Sequence, residues 1–305
     1  MSSRDWKRRA YRVLDRFVPT VPFRFLPPRQ SVRMAYNVVL DREPDPAGGG
    51  DYARKLADGE LSRHGVAQAL AHSEEFRRQV PIGDVLLSMH VSRCEFVAGL
   101  PPAARILDLG GTHQGFADGA LVHLGYPYPF ERLVVVDLPV EERHEIYQGG
   151  SAGAPVLSEL GPVEFAFHSM VDLGRYADGS FDLVYSGQSI EHVPVDVADT
   201  VLQEVRRVLR PGGYLGLDTP NARVTRLQQS EFIDPDHEHE YTDAELRAKL
   251  AAAGFEVVGA WGLNHAGPSL AAGVFDADQV ATARGLFHQR EDCYLLAYLC
   301  RVPGG

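Results

Sequence analysis

Apolar residues along this chain fall into two regimes. Between residues 31 and 80 they recur every three or four positions, the period of helices with one buried face. From about residue 82 onward, short continuous apolar runs alternate with helix-period segments. Runs near 104–109, 132–137, 163–169, 181–186, 214–219, 255–264 and 292–302 predict strands, and segments 83–99, 115–124, 196–209 and 242–253 predict helices. Strands that are apolar on both faces and separated by helices belong to a parallel sheet covered on both sides. The expected fold is therefore α/β, a doubly wound, seven-stranded, mostly parallel sheet. The last strand, beginning at Asp292-Cys293-Tyr294, follows a long excursion and is expected to be an antiparallel edge.

The helical region before it divides further. SVRMAYNVVLDRE predicts one helix, DPAGGGDYARKLADGEL a turn and a second, and SRHGVAQALAHSEEFRRQ a third, with Ser62 and Ser73 as candidate N-caps. Pro19, Pro22, Pro27 and Pro28 separate this small all-α module from an N-terminal arm. The expected organisation is an arm and linker over 1–30, the helical module over 31–81, and the α/β domain over 82–305.

Charge changes the picture at the arm. The chain carries a net charge of −11, yet residues 1–33 hold about +7, leaving about −18 on the rest. A body that acidic excludes a nucleic-acid partner, whose affinity comes mainly from cationic contacts. In the arm, Trp6, Tyr11, Val13, Leu14, Phe17 and Val18 alternate with Arg8, Arg9, Arg12 and Arg16 at roughly helical spacing. Such a helix docks on its own protein, on a second subunit in a homodimer, or on a membrane surface through residues 1–18. No apolar stretch approaches the ~20 residues of a transmembrane segment, and the arm lacks the apolar core of a secretory signal. Cys94, Cys293 and Cys300 have no metal-ligand spacing and suit a reducing cytoplasm.

Candidate chemistry begins at ARILDLGGTHQGFADGAL, which reads as buried strand, glycine turn and helix start. The next strand, Leu133 to Val136, ends on Asp137. This is a nucleotide-binding half-unit, in which glycines admit a ligand to the backbone and the acid accepts hydrogen bonds from a ribose. Gln114 stands where a third glycine would fall, which argues against a dinucleotide. Farther on, VLQEVRRVLRPGGYLGLDTPN predicts a helix stopped by Pro211, a Gly212-Gly213 reversal and a strand.

Across residues 82–302 these motifs, in this order, resemble the Rossmann-like S-adenosylmethionine-dependent methyltransferases. The resemblance implies S-adenosyl-L-methionine as cofactor. It assigns Asp108, Gly110, Gly111 and Thr112 to the methionine part, and Asp137 with Leu138 to the ribose. Met170 and Asp172 fall beside the adenine, where Asp172 reads equally as a solvated loop acid. Ser186 and Gln188 open the loop facing the methyl group. Separately, NVVLDREPDPAGGGDYARKLADGELSRHGVAQALAHSEEFRR resembles a small bacterial domain of unknown function that accompanies surface-polysaccharide and surface-layer proteins. Its other reading is a packing or dimerisation element.

Methyl transfer to an alcohol requires loss of the hydroxyl proton, hence a general base or a metal. After the fourth of the seven strands, Glu191-His192 supplies an imidazole for that task or for positioning the acceptor. The cluster from Phe232 to Tyr241 adds His237 and His239, in a segment that the family places along the acceptor pocket. Glu191, Asp218 and His239 are candidate ligands for Mg²⁺ or a similar divalent cation, with a charged, solvated lid as the alternative. His192 and His237 are the candidate catalytic histidines. Ser186-Gly187-Gln188-Ser189 stands where an Asn/Asp-Pro-Pro-aromatic motif would mark a nucleic-acid amine enzyme. The reading is an O-methyltransferase acting on a saccharide hydroxyl. The alternatives are a small-molecule O- or N-methyltransferase of secondary metabolism and a cofactor-binding scaffold.

Overall fold

The computed structural model describes residues 27–40, 42–61, 65–66, 69–70, 73, 85–112, 118–142, 155–230, 232–234 and 236–304. The basic arm over 1–18, Pro19, Pro22, Ser62, Gln114 and Gly115 lie outside the described residues, and so does the segment that Ser73 would cap. Among the described residues, no helix is long and apolar enough to cross a membrane.

Two helices come first, α1 (Pro28–Leu40) and α2 (Pro46–Ala57). Asp45 caps α2 by accepting the Gly48 amide at 2.7 Å, and Pro46 sits in the first turn, where its missing N–H costs nothing. Val32, Ala35 and Tyr36 of α1 and Ala53 of α2 cluster with Val66 and Leu70. The same cluster includes Leu87 and Val91 of α3 (Val85–Ala98), the helix that leads into the sheet.

The sheet has nine strands, named β1 (Arg105–Leu109), β2 (Arg132–Asp137), β3 (Val156–Leu157), β4 (Pro162–Phe167) and β5 (Phe181–Gly187). The others are β6 (Leu209–Pro220), β7 (Glu256–His265), β8 (Leu286–Phe287) and β9 (Cys293–Arg301). Their order is β3-β4-β2-β1-β5-β6-β9-β7-β8. The run β4-β2-β1-β5-β6 is parallel throughout, and every remaining pairing is antiparallel. Two more strands are present than expected. Both, β3 and β8, are two residues long, too short to leave a periodic signal.

The last strand departs from expectation. β9 is not an edge: it lies between β6 and β7 and pairs with both, and the edges are β3 and β8. Burial accounts for this, since seven of its nine residues are buried and the run is apolar on both faces, as suits an interior strand. The Pro211-Gly212-Gly213 turn also differs. Leu209 already pairs with Phe181, and the register shifts before Leu183 meets Tyr214, so the glycines form an irregularity inside β6.

Side chains alternate across the sheet. Leu107 and Leu109 of β1 join one core with Ala198, Val201, Leu202 and Val205 of α5 (Val195–Val208). Ile106 joins the opposite core with Phe96 and Val97 of α3 and Leu121 of α4 (Ala120–His123). Each fully buried Leu or Val stabilises the fold by roughly 1.5–3 kcal/mol. Two further helices flank the 232–241 segment in the chain, α6 (Ala222–Gln228) and α7 (Asp243–Ala252). Chain order reverses between β1 and β5. The crevice at their carboxyl ends is the switch point, where ligands bind in open α/β sheets.

Candidate active site

On the β1 side of the crevice, Asp108 is buried and its Oδ2 accepts the Leu121 amide at 3.2 Å. Its Oδ1 is buried with no hydrogen-bond partner. Burial pushes its pKa up to about 7, against the opposing pull of the Leu121 amide and of Arg93. The chain then turns through Gly110 at φ +71°, where a Cβ would lie 2.8 Å from that of Ser189. A Cβ on Gly111 would lie 2.1 Å from Asp108 Oδ2. The turn therefore presses backbone against both the acid and the loop after β5.

Asp137 ends β2. Its Oδ1 accepts the Leu138 amide at 2.7 Å, and its Oδ2 accepts from both the amide and the hydroxyl of Thr112. This ties the glycine turn to the β2 tip, so Asp108, Gly110, Gly111, Thr112, Asp137 and Leu138 converge. A buried acidic oxygen lacking a donor, a glycine cradle that a Cβ would fill and a carboxylate at the β2 tip fit the ammonium, backbone and ribose of S-adenosylmethionine. Met170 packs against the core after β4. Asp172 is exposed, with its carboxylate 3.7 Å from Arg175.

Across the crevice, β5 ends in a loop whose Ser186 and Ser189 hydroxyls are 2.6 Å apart. The loop tightens into a turn at Ile190–His192. Glu191 is fully buried there: Oε2 accepts the Thr219 hydroxyl at 2.9 Å, whereas Oε1 has no partner. Burial raises its pKa, more than the nearby His192 and His237 lower it. The amides of Glu238 and His239 donate to the Glu191 carbonyl at 2.8 and 3.1 Å, which pins the 232–241 segment over this turn. His192 Nδ1 donates to the Asp236 carbonyl at 3.1 Å, and the His192 and His237 rings meet edge to face at 4.9 Å.

His237 is buried, with Nδ1 2.8 Å from Glu240 Oε1. Burial disfavours its charged form, but the hydrogen bond to Glu240 and the charge of Glu191 prevail and raise its pKa. Glu240 also receives the Thr225 and Arg226 side chains and the Ile233 amide, and its hydrogen bonds with His237, Thr225 and Ile233 hold its pKa down against burial. One ligand atom from each of Glu191, His192 and His237 lies within 4.8 Å of the others, a spacing able to hold a metal ion.

That trio differs from the expected Glu191, Asp218 and His239. Asp218 is buried but taken: its carboxylate receives Arg93 Nε at 2.7 Å, Gln188 Nε2 at 2.9 Å and the Tyr185 hydroxyl at 2.5 Å. A guanidinium already fills the place of a cation, which argues against Asp218 as a ligand. His239 is joined to Glu191 only through its backbone amide. Its ring packs on Tyr241, with Nε2 4.0 Å from Glu245. Sequence reasoning missed Arg93 and Thr219, and it gave Glu240 no role beyond its place in the Phe232–Tyr241 cluster. Arg93 had a signal, being the one Lys or Arg in the mostly apolar helix VLLSMHVSRCEFVA, where a buried cation needs a buried partner.

A family model described as a methyltransferase domain matches residues 83–260, well over half of the chain. The chain belongs to this methyltransferase family. A ubiquinone biosynthesis O-methyltransferase of Xanthomonas axonopodis pv. citri is 30% identical over 185 residues, covering 56% of this chain and 72% of that protein. A Mycolicibacterium smegmatis protein named "Probable S-adenosylmethionine-dependent methyltransferase" is 42% identical over 88 residues. That match covers 29% of this chain and 34% of the relative, so it spans about a third of the latter's length. Among solved structures, an S-adenosylmethionine-dependent methyltransferase of Thermotoga maritima aligns with a TM-score of 0.47 at 17% identity, covering 74% of this chain and 98% of that one. The protein is an S-adenosylmethionine-dependent methyltransferase. A second model, described only as a domain of unknown function, matches residues 28–80 of the methyltransferase.

Proposed function

We propose that this methyltransferase is an O-methyltransferase that acts on a saccharide hydroxyl, in a polysaccharide, glycolipid or glycosylated metabolite. One observation carries the oxygen acceptor: Glu191, His192 and His237 gather within 4.8 Å at the sheet end, with a buried, unpartnered Glu191 oxygen among them. An amine acceptor needs little beyond placement, whereas a hydroxyl must shed a proton near the transition state. A divalent cation on the trio would lower the pKa of a bound hydroxyl and offset the buried Glu191 charge. Glu240, hydrogen-bonded to His237 Nδ1, would then fix the orientation and tautomer of that imidazole. Two imidazoles and one carboxylate suit Zn²⁺ or Fe²⁺ better than Mg²⁺, which prefers oxygen ligands.

On the donor side, Asp108 receives the cofactor ammonium and Asp137 its ribose hydroxyls. Gly110, Gly111, Thr112 and Leu138 shape the cradle between them, and Ser186 and Gln188 border the methyl group. Met170 and Asp172 lie toward the adenine. The saccharide draws support from the resemblance of residues 31–81 to a domain that accompanies surface-glycan proteins. The second reading, a small aromatic or other metabolite hydroxyl, draws support from the relatives named for ubiquinone biosynthesis.

The test incubates metal-depleted protein with methyl-labelled cofactor and a panel of mannosides, glucosides and phenols. Mg²⁺, Mn²⁺, Fe²⁺ and Zn²⁺ are each restored in turn. Label on a glycoside supports the first reading and label on phenols alone the second. Transfer to no hydroxyl overturns both, and transfer indifferent to chelator removes the cation.

A further inference from the structure

Helix α3 faces three ways. Leu87 and Val91 pack under α1 and α2, while the Ser88 and Ser92 hydroxyls bond the Ala281 carbonyl and the Asn264 side chain. Arg93 reaches inward to the carboxyl ends of β5 and β6, where its Nε lies 2.7 Å from Asp218 Oδ1 and its Nη2 3.4 Å from the Tyr185 hydroxyl.

Asp218 holds Gln188 twice. Its carbonyl accepts the Gln188 amide at 2.8 Å and its Oδ1 accepts Gln188 Nε2 at 2.9 Å. Gln188 needs this hold, because it sits at φ +56°, where an L residue is strained. Such conformations persist only where surroundings impose them. Gly187 leaves room for the clamp, since a Cβ there would lie 2.5 Å from the Tyr185 hydroxyl and 2.6 Å from Arg93 Nη2. Two residues past Gln188 begins the turn that carries Glu191 and His192.

We propose that Arg93 is a positioning residue for methyl transfer: through Asp218 it holds Gln188 in its strained conformation and so sets the loop that carries Glu191 and His192. The proposal rests on the reading of those two residues as the acceptor side. Arg93 touches neither of them. It neutralises a carboxylate that would otherwise be buried without a cation, and its planar fork reaches Asp218 and Tyr185 together.

Wild type, Arg93→Met and Arg93→Lys are compared by thermal unfolding, by titration with S-adenosylhomocysteine, and by the His192 imidazole resonance at fixed pH, assigned with His192→Gln. Arg93→Met is expected to displace the His192 resonance and to lower kcat at least ~10-fold, with KM and product affinity changed less than ~3-fold. Arg93→Lys, which keeps the charge beside Asp218 but not the fork that also reaches Tyr185, is expected to displace the resonance less than Arg93→Met and to keep at least ~3-fold more kcat. An unmoved resonance and kcat in folded Arg93→Met overturns the proposal. Should that variant not fold, Gln188→Ala decides: alanine keeps the strain at φ +56° and loses the Nε2 hold on Asp218, so the same displacement is expected and an unmoved resonance overturns the proposal. If wild type methylates no hydroxyl, the acceptor reading fails, while the resonance still reports on Arg93.

Discussion

His237 Nδ1 lies 2.8 Å from Glu240 Oε1, and that one carboxylate gathers four donors from two places in the chain. Thr225 and Arg226 come from α6, while the Ile233 amide and His237 come from the loop itself. Glu240 is therefore the knot that holds the 232–241 segment over the crevice.

Glu240→Gln is expected to destabilise the protein by ~2–4 kcal/mol, because it breaks a buried ion pair and leaves donors facing donors. The pH course of that loss has a definite sign. Glu240 has a lowered pKa, so its contribution is present above the usual ~4.3 and fades as pH falls through the folded value. His237 has a raised pKa, so its contribution is full below the usual ~6.5 and fades as pH rises through the folded value. Urea unfolding of both proteins should therefore show the widest gap between about pH 4.5 and 6.5. A gap that does not change with pH would mean that the pair adds packing and no charge coupling.

The parts of this arrangement that were legible in the sequence are those written in contiguous residues. The parallel strands announce themselves as apolar runs, and Glu191-His192 follows one of them directly. What was not legible depends on pairing across the chain. Whether β9 lies at an edge depends on β7, which pairs with it from some thirty residues upstream. Asp218 looked like a metal ligand because it ends a strand beside the crevice. Only Arg93, 125 residues earlier, makes it half of an ion pair. His239 and His237 differ by two positions in a dense polar segment, and no periodicity there says which one turns inward.

Cofactor binding should depend on pH through Asp108, whose carboxyl is pushed up to about 7 by burial. A cationic ammonium favours the ionised acid, so affinity for S-adenosylhomocysteine should climb as pH rises from 5.5 to 7 and level off above. The slope approaches ~10-fold per unit at its steepest. Calorimetric titration across pH 5.5–8.5 reads this directly. Asp108→Asn should bind more weakly and show a much flatter profile, and an equally steep profile in that variant would assign the dependence to another group.

Gly111→Ala is expected to cost at least ~10-fold in cofactor affinity, about 1.4 kcal/mol or more. Its Cβ would fall 2.1 Å from Asp108 Oδ2, so either the acid or the turn must move. Gly111 has no unusual φ among the positive-φ glycines, so the effect should track Asp108 more than backbone strain. In Asp108→Ala, where the obstructing carboxylate is gone, adding Gly111→Ala should cost clearly less than it does alone. A double-mutant cycle on S-adenosylhomocysteine binding measures that coupling, and strictly additive losses would refute it.

Removal of residues 1–80 should weaken the catalytic domain itself. Leu87 and Val91 of α3 are 6% exposed, and they share a buried cluster with Val32, Ala35, Tyr36, Ala53, Val66 and Leu70, all within residues 1–80. Uncovering two such side chains forfeits roughly 3–5 kcal/mol of burial, and it does so on the helix that carries Arg93 to Asp218. The truncated protein should therefore melt several degrees lower and lose transfer rate by more than it loses product affinity. Leu87→Gln with Val91→Gln in the truncated chain should remove the exposed apolar pair without restoring rate, because α3 stays unsupported. If instead the truncated protein keeps both its melting temperature and its kcat, α1 and α2 rest on α3 without bracing it, and residues 28–80 serve some purpose away from the crevice.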